Sequence, residues 1–169
     1  MQRWILVGLC VFAAGCGSTG DKVLQDFGIK DRPEDYVSGA DKVMAKLPDV
    51  AKVEIDRMNA AQRRGQILYD KGENNSLNGA YYKRTKVYES SHPLDANAST
   101  RTSQNNPVTF IGYIEYSFQY YESSRRSNRV EAESETADIP TGDRGSETYR
   151  YRFDSASTWN GVKGERYSE

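Results

Sequence analysis

The chain has 169 residues, which suits one ordinary domain with a short extension. Its 23 basic and 24 acidic side chains leave a net charge of −1, and this balance argues against a nucleic-acid partner, which needs a concentrated positive field. Aliphatic residues are sparse, but twelve tyrosines supply apolar area with a polar tip. We therefore expect a folded domain with a thin core.

Residues 1–15 have the composition of a secretory signal peptide. Arg3 and the α-amine form a positive start, an apolar run follows over residues 4–14, and small residues end it. A membrane-spanning helix takes about 20 apolar residues, so this run is too short for one. We expect the segment to direct secretion rather than to remain as a transmembrane anchor.

The end of this segment, Ala13-Ala14-Gly15-Cys16, resembles the lipobox of bacterial lipoproteins. In that family a peptidase cuts before a cysteine that already carries a diacylglycerol. The resemblance therefore implies cleavage between Gly15 and Cys16 and lipidation of Cys16. Ala13 departs from the family pattern, which usually has leucine at that place. The alternative is an ordinary secretory peptide cut near Ala14 or Gly15.

The cysteine count supports the lipobox interpretation. Of the two cysteines, Cys10 follows Leu9 and lacks the small preceding residue that such a peptidase requires. Cys10 leaves with the signal, so Cys16 would be a lone reactive thiol unless it is acylated.

A lipidated Cys16 would make the membrane a partner of the chain. The resemblance implies three acyl chains on the mature protein, and two membrane-binding signals already give stable anchoring. Residues 16–32 would form a flexible tether. Gly17 is not the aspartate that retains some lipoproteins at the inner membrane. The resemblance thus implies the periplasmic face of the outer membrane in a diderm cell, or the outer leaflet of the cell membrane in a monoderm.

The next segment, residues 33–155, reads as the folded domain and begins with two predicted helices. Apolar residues recur at helical spacing over residues 33–47, with Pro33 in the first turn and Pro48 as the end. A second helix is predicted from Asp49, as N-cap, to residue 71, where Gly72 stops it.

Strand patterns follow the helices. Residues 80–90 read as a strand, residues 92–106 as a polar loop, and residues from 108 onward as a strand with its even positions apolar, where Gly112 would mark a bulge or bend. The turn at residues 123–128 then leads to a predicted strand over residues 129–136.

A loop is predicted over residues 138–145, and the strand at residues 147–154 places Tyr149, Tyr151 and Phe153 inward. Antiparallel pairing would set a glutamate row on the strand at residues 129–136 opposite Arg150 and Arg152. Residues 156–169 read as a C-terminal tail or a short terminal strand, with a tight turn or short strand over residues 159–162.

These elements predict an α+β fold, with N-terminal helices packed on an antiparallel β-meander of about four strands. Their order resembles the cystatin-like and NTF2-like architectures, in which a bent sheet wraps a long helix. Such folds host enzymes, ligand carriers and assembly modules alike, so the architecture does not decide the function.

Catalytic and metal-binding patterns are not found. His92 is the single histidine, so a His and Cys metal site and a supported catalytic triad are not expected, and no phosphate-binding or calcium-binding loop motif is present. We expect no cofactor, no metal and no enzymatic activity.

Two charged clusters allow more than one interpretation. Glu131, Glu133 and Glu135 are able to serve as acid and base or to hold calcium, but a salt-bridged solvent face is favoured. Arg125 and Arg126, with Arg129, are able to grip a phosphate or carboxylate, or they form a charged turn that discourages edge pairing.

Tyrosines are the best candidates for recognition. Tyr113 and Tyr121 fall on the polar face of their strand, without a burial reason, and together with Arg125 and Arg126 they form the candidate binding surface. The alternative is a half-covered sheet face that is rich in tyrosine through strand propensity.

The favoured hypothesis is a membrane-anchored envelope lipoprotein whose non-catalytic domain contacts an envelope protein or the cell wall. The alternative is a carrier of small ligands, with a pocket between the second helix and the concave sheet. The residues that would line this pocket are Tyr116, Phe118, Tyr149, Tyr151 and Phe153.

Overall fold

The computed structural model describes residues 25–26, 31, 36–72, 79–99 and 109–168. The signal segment, Cys16 and Pro33 lie outside these residues, as does most of the predicted tether. The chain divides into two units, residues 1–36 and 37–169. In the first unit the Gln25 side chain donates to the Asp31 carbonyl at 3.3 Å, and the Tyr36 hydroxyl donates to Asp26.

The second unit packs one long helix against a curled antiparallel sheet that forms a half-barrel. The strands are hydrogen-bonded in chain order, β1-β2-β3-β4-β5. In chain order the elements are α1 (Gly39–Gln62), β1 (Gln66–Asp70), β2 (Ala80–Ala98), β3 (Phe110–Glu122), α2 (Arg129–Ser134), β4 (Ile139–Phe153) and β5 (Glu165–Tyr167). The predicted α+β class and antiparallel meander are confirmed, with five strands rather than about four and one long helix rather than several packed on the sheet.

Pro48 lies inside helix α1, so the prediction of two helices separated at this residue is wrong. A proline within a helix costs about 3 kcal/mol, because one hydrogen bond is lost and the ring crowds the preceding turn. The apolar stripe continues past it, with Leu47 at 0% and Val50 at 4% exposure. Burying each such side chain contributes about 1.5–3 kcal/mol, which outweighs the cost of the proline.

Both ends of the helix differ from the prediction. Ser38 is the N-cap, and its hydroxyl accepts the Asp41 amide at 3.0 Å. The helix ends at Gln62 rather than near residue 71, because Gly65 adopts a φ of +63° that glycine tolerates and donates to the Gln62 carbonyl at 2.9 Å. The chain then leaves as β1, which pairs with β2.

Strand β2 continues well beyond the predicted end at residue 90. Residues 92–98, predicted as the start of a loop, pair with β3, where Asn97 lies opposite Ile111. Two register shifts interrupt this pairing, one at residues 88–90 and one at residues 93–95. The polar composition of residues 92–98 does not indicate a strand, because pairing with β3 stabilises this segment rather than its own strand propensity.

Residues 129–134 form helix α2, so the strand predicted there is wrong. The Asn128 side chain caps the helix by accepting the Glu131 amide at 2.8 Å, and Ala132 is fully buried. The predicted pairing of the glutamate row with Arg150 and Arg152 is therefore wrong as well. Both arginines pair with Glu165 on β5 instead.

Strand β4 begins at Ile139, so the loop predicted over residues 138–145 is wrong over most of its length. The inward direction predicted for the end of this strand is confirmed, since Tyr151 and Phe153 are each 1% exposed. Strand β5 lies at residues 165–167, beyond residues 159–162, where the tight turn or short strand was predicted, and within the residues predicted as the tail.

The segment between β4 and β5 lies along helix α1. Lys46 donates to the Ser157 carbonyl at 2.6 Å, and Arg57 donates to the Gly161 carbonyl at 3.1 Å. Ser157 and Gly161 both have positive φ angles, 58° and 77°. These bonds make the C-terminal segment part of the domain.

Gly112 marks a close approach rather than a bulge. The register of β3 is continuous there with both neighbouring strands, against Ala96 and Tyr151. A Cβ atom at this position would come within 2.5 Å of the Leu47 Cδ2 atom. The missing side chain therefore lets helix α1 rest on the centre of the sheet.

Candidate functional site

The two faces of β3 divide the domain into an inner side and an outer side. Its even-numbered residues Phe110, Ile114 and Tyr116 are 2%, 0% and 0% exposed, because they face helix α1. Successive side chains of a strand point to opposite faces, so the odd-numbered Tyr113 lies on the outer face. Tyr113 is half-buried there, opposite Asp95 on β2 and Arg150 on β4.

A groove of about 560 Å³ lies around Tyr113 on this outer face. We call it the outer groove, and it is lined by Leu94, Asp95, Asn97, Tyr113, Thr148 and Tyr167. The rings of Tyr113 and Tyr167 meet edge to face, with centroids 5.2 Å apart and an interplanar angle of 65°. Leu94 is 45% exposed and Tyr167 37%, so apolar surface in the groove faces solvent.

Several polar groups of the outer groove have no hydrogen-bond partner within the described part of the chain. These are the hydroxyls of Tyr113, Tyr167 and Thr148. Asp95 differs, because one carboxylate oxygen accepts the Ala96 amide at 2.8 Å and the other accepts the Asn97 side chain at 2.6 Å. The groove therefore offers hydroxyls that no described residue binds, beside an internally bonded carboxylate.

The charges beside the outer groove are paired. Arg150 donates to Glu165 at 2.7 Å, and Arg152 lies 3.5 Å from the same carboxylate. The hydrogen bond and the charge of Arg150, with the charge of Arg152, hold the pKa of Glu165 below its usual range. This carboxylate stays ionised and neutralises the neighbouring guanidinium groups.

Tyr121 lies on the same face as Tyr113 but far from the outer groove. The two residues are eight positions apart on one strand, which corresponds to about 26 Å at the usual rise per residue. The Tyr121 hydroxyl donates to Glu89 at 2.7 Å, and this hydrogen bond raises the pKa of the phenol. The structure does not bring the two predicted recognition tyrosines together.

The arginines of the candidate surface are engaged within the protein. Arg125 donates to Glu122 at 3.0 Å and lies over the Tyr82 ring, 4.3 Å from its centroid. Arg126 pairs with Glu135 at 2.5 Å. Together with the pair of Arg129 and Glu133 at 3.3 Å, these contacts match the charged turn rather than an open anion site.

His92 is exposed on β2, in the segment predicted as a loop, and lies opposite Glu115 on β3. Among the described residues no group of three or more His, Cys, Asp or Glu side chains is placed to hold a metal ion. None of the described helices has the length and apolar character that crossing a membrane takes.

A second polar cluster lies on the inner face, around the buried carboxylate of Glu147. It accepts Lys86 at 2.5 Å, Tyr88 at 2.7 Å and Tyr149 at 3.2 Å, and the Arg166 guanidinium lies 3.0 Å away. Burial by itself raises the pKa of this carboxyl, but the hydrogen bonds from Lys86 and Tyr88 and the nearby positive charges lower it below its usual range. All four partners are thus held by one ionised acid.

The rings proposed to line a carrier pocket are used in the core. Tyr116 and Tyr151 are 0% and 1% exposed, and their hydroxyls bond each other at 2.8 Å. Burial raises the pKa of both phenols. Side chains with no exposed surface leave no water-sized space beside them, so this packing weighs against a ligand pocket at Tyr116, Tyr151 and Phe153.

Of the candidate surface residues, Tyr113 alone lines the outer groove. Asp95 and Asn97 fall in the predicted loop and Tyr167 in the predicted tail, so strand reasoning passed over them. Two sequence features point to these groove residues. One is an aromatic residue, Tyr167, within a polar tail. The other is the alternation of apolar and polar residues from Leu94 to Asn97, of which the structure buries only Ala96.

Comparison with protein-family models, with curated proteins and with solved structures gave no match for this chain. The geometry of the outer groove is therefore the main basis for assigning a function to the domain.

Proposed function

We propose that the protein is a cell-envelope lipoprotein, anchored through Cys16, whose domain is a non-catalytic binding module for an envelope protein or the cell wall. The observation that carries this proposal is the outer groove, where two tyrosines present ring surface and free hydroxyls to solvent. Tyrosine favours interfaces because it combines rigid apolar area with a hydrogen-bonding tip.

The proposed contact surface centres on Tyr113 rather than on the whole set of Tyr113, Tyr121, Arg125 and Arg126. The last three make hydrogen bonds or ion pairs within the domain. A long helix held by a curled antiparallel sheet also supports a cystatin-like or NTF2-like architecture, which we propose for the domain.

The anchor is supported by the lipobox pattern that ends at Cys16. It is also supported by the cysteine count, because loss of Cys10 with the signal would leave Cys16 as a lone reactive thiol unless it is acylated. Mass spectrometry of the mature N-terminus tests it directly. We expect a triacylated Cys16 in the wild type and loss of membrane fractionation in the Cys16→Ala variant. An unmodified Cys16, or unchanged fractionation of the variant, would contradict the anchor.

The binding surface is tested by photo-crosslinking in cells. A photoreactive phenylalanine analogue is placed at position 113 or, as a matched control, at position 121 of the same strand. We expect a crosslink to an envelope component from position 113 and none from position 121, because only Tyr113 lines the outer groove. Equal crosslinking from both positions would refute the assignment.

A further inference from the structure

We propose that the outer groove binds an uncharged saccharide chain. This inference rests on the proposed function, since it names the ligand class of the same surface. Three features of the groove support it: the aromatic surfaces, the hydroxyls that have no partner among the described residues, and a lining without a basic side chain.

The aromatic surfaces suit a sugar ring. The face of a phenol ring is electron-rich, and the C–H groups on one side of a pyranose carry small positive charges that pack against such a face. Tyr113 and Tyr167 meet edge to face at 65°, so the contact takes up one ring face of the pair and not two. Together with Leu94, they provide a bent apolar floor in the groove.

The polar groups of the groove match sugar hydroxyls. Each hydroxyl of Tyr113, Tyr167 and Thr148 both donates and accepts a hydrogen bond, and none has a partner among the residues described. Sugar hydroxyls have the same dual character, so donor and acceptor roles adjust on both sides. The side-chain oxygen of Asn97 adds an acceptor, because the side-chain nitrogen of this residue is the atom that donates to Asp95.

The charge of the groove argues against an anionic ligand. Asp95 is the one residue of the lining that is charged at neutral pH, and its two oxygens accept hydrogen bonds from the neutral amide groups of Ala96 and Asn97. The flanking Arg150 is paired with Glu165. An anionic ligand would therefore meet a carboxylate and no basic side chain in the lining, whereas a neutral saccharide needs neither. The volume of about 560 Å³ lies within the range of about 300–1,000 Å³ that small-ligand sites show, which leaves room for more than one sugar unit.

The test is calorimetric titration of the purified full chain with chitohexaose, cellohexaose and an uncharged hexapeptide. We expect at least one oligosaccharide to bind and the peptide not to bind. The Tyr113→Ala variant should lose about tenfold in affinity, and the Tyr113→Phe variant about two- to threefold, because a ring with its contacts matters more than one neutral hydrogen bond. The matched control Tyr121→Ala should bind within about twofold of the wild type, since its ring lies about 26 Å away along the strand.

Near-UV circular dichroism of each variant separates loss of binding from loss of folding. If Tyr113→Ala does not fold, Thr148→Val serves in its place, because it removes a groove hydroxyl at constant shape. Absence of binding by both oligosaccharides would overturn the inference, as would equal losses at positions 113 and 121 or tighter binding of the peptide. A persistent crosslink from position 113 to an envelope protein, without saccharide binding, would leave the proposed function standing. Saccharide binding by a chain whose Cys16 is unmodified in cells would support the ligand assignment and contradict the lipid anchor of the proposed function.

Discussion

The inner and outer faces of the sheet use tyrosine in different ways. On the inner face, Tyr116 and Tyr151 are buried and bond each other, while Tyr88 and Tyr149 bond the Glu147 carboxylate. In the outer groove the Tyr113 hydroxyl is left without a partner among the described residues, and its ring stays half-buried. A buried polar group must be paired to be tolerated, whereas a solvent-facing one stays available.

This difference separates stability from binding. Changes on the inner face should alter the free energy of unfolding. They should change ligand binding only through the fraction of the protein that is folded. Removal of a hydroxyl from the outer groove should alter affinity and leave the free energy of unfolding almost unchanged. Variants on both faces test that separation.

The largest effect is expected for Glu147→Ala. Lys86 has 13% of its side chain exposed and lies 3.7 Å from the centroid of the Phe118 ring, so removing the carboxylate leaves a mostly buried ammonium without a counter-ion. Breaking a buried pair in this way costs about 3–5 kcal/mol. Urea unfolding followed by circular dichroism measures the loss. A variant within about 1 kcal/mol of the wild type would show that the cluster does not stabilise the inner face.

The pH dependence of stability at the same position provides a control. The pKa of Glu147 is lower in the folded protein than its ordinary value of 4.5, so its stabilising contribution is complete above that value and is lost as the pH falls through the folded pKa. The difference in unfolding free energy between wild type and Glu147→Gln should therefore shrink in acid. A difference that grows as the pH falls below about 4.5 would contradict the assigned shift.

An intermediate effect is expected for Tyr116→Phe. The substitution leaves the buried Tyr151 hydroxyl without its 2.8 Å partner, and an unsatisfied buried hydroxyl costs about 1–3 kcal/mol. The double variant with Tyr151→Phe removes both hydroxyls and should recover part of the loss. Thermal and urea unfolding of the two single variants and the double variant form the cycle. Additive losses would argue that the two hydroxyls do not depend on each other.

The smallest effect on stability is expected in the outer groove. Tyr167→Phe removes a hydroxyl that bonds no described residue and keeps the ring against Tyr113, so the unfolding free energy should change by less than about 0.5 kcal/mol. Urea unfolding checks this value beside the Tyr116→Phe variant. A loss as large as that of Tyr116→Phe would erase the contrast between the faces.

Local patterns predicted the parts of the fold whose order is visible within a few residues. The alternation from Phe110 to Tyr116 and from Tyr149 to Phe153 identified two strands and their inward sides, because a half-buried strand has a period of two. Residues 129–136 alternate in the same manner, yet residues 129–134 form helix α2. There the Asn128 cap and the burial of Ala132 decide the conformation, and a short alternation does not reveal them.

The candidate site was predicted only through Tyr113. Its parity on β3 placed it on the polar face, and the structure leaves it there. Asp95, Thr148 and Tyr167 reach the same groove through strand pairing, in which Thr148 lies opposite both Glu115 and Tyr167. These pairings join residues about 20 to 30 positions apart, and the ring contact between Tyr113 and Tyr167 joins residues more than fifty positions apart, beyond the reach of any local pattern.

The sequence by itself determined the α+β class, the lipobox resemblance at Cys16 and the outward direction of Tyr113, because each follows from neighbouring residues alone. Tertiary structure decided that helix α1 passes through Pro48 and that the outer groove forms. Burial of the helix stripe against the sheet outweighs the local cost of the proline. Pairing of β5 with β4 brings Tyr167 to Tyr113, and no local preference specifies that contact.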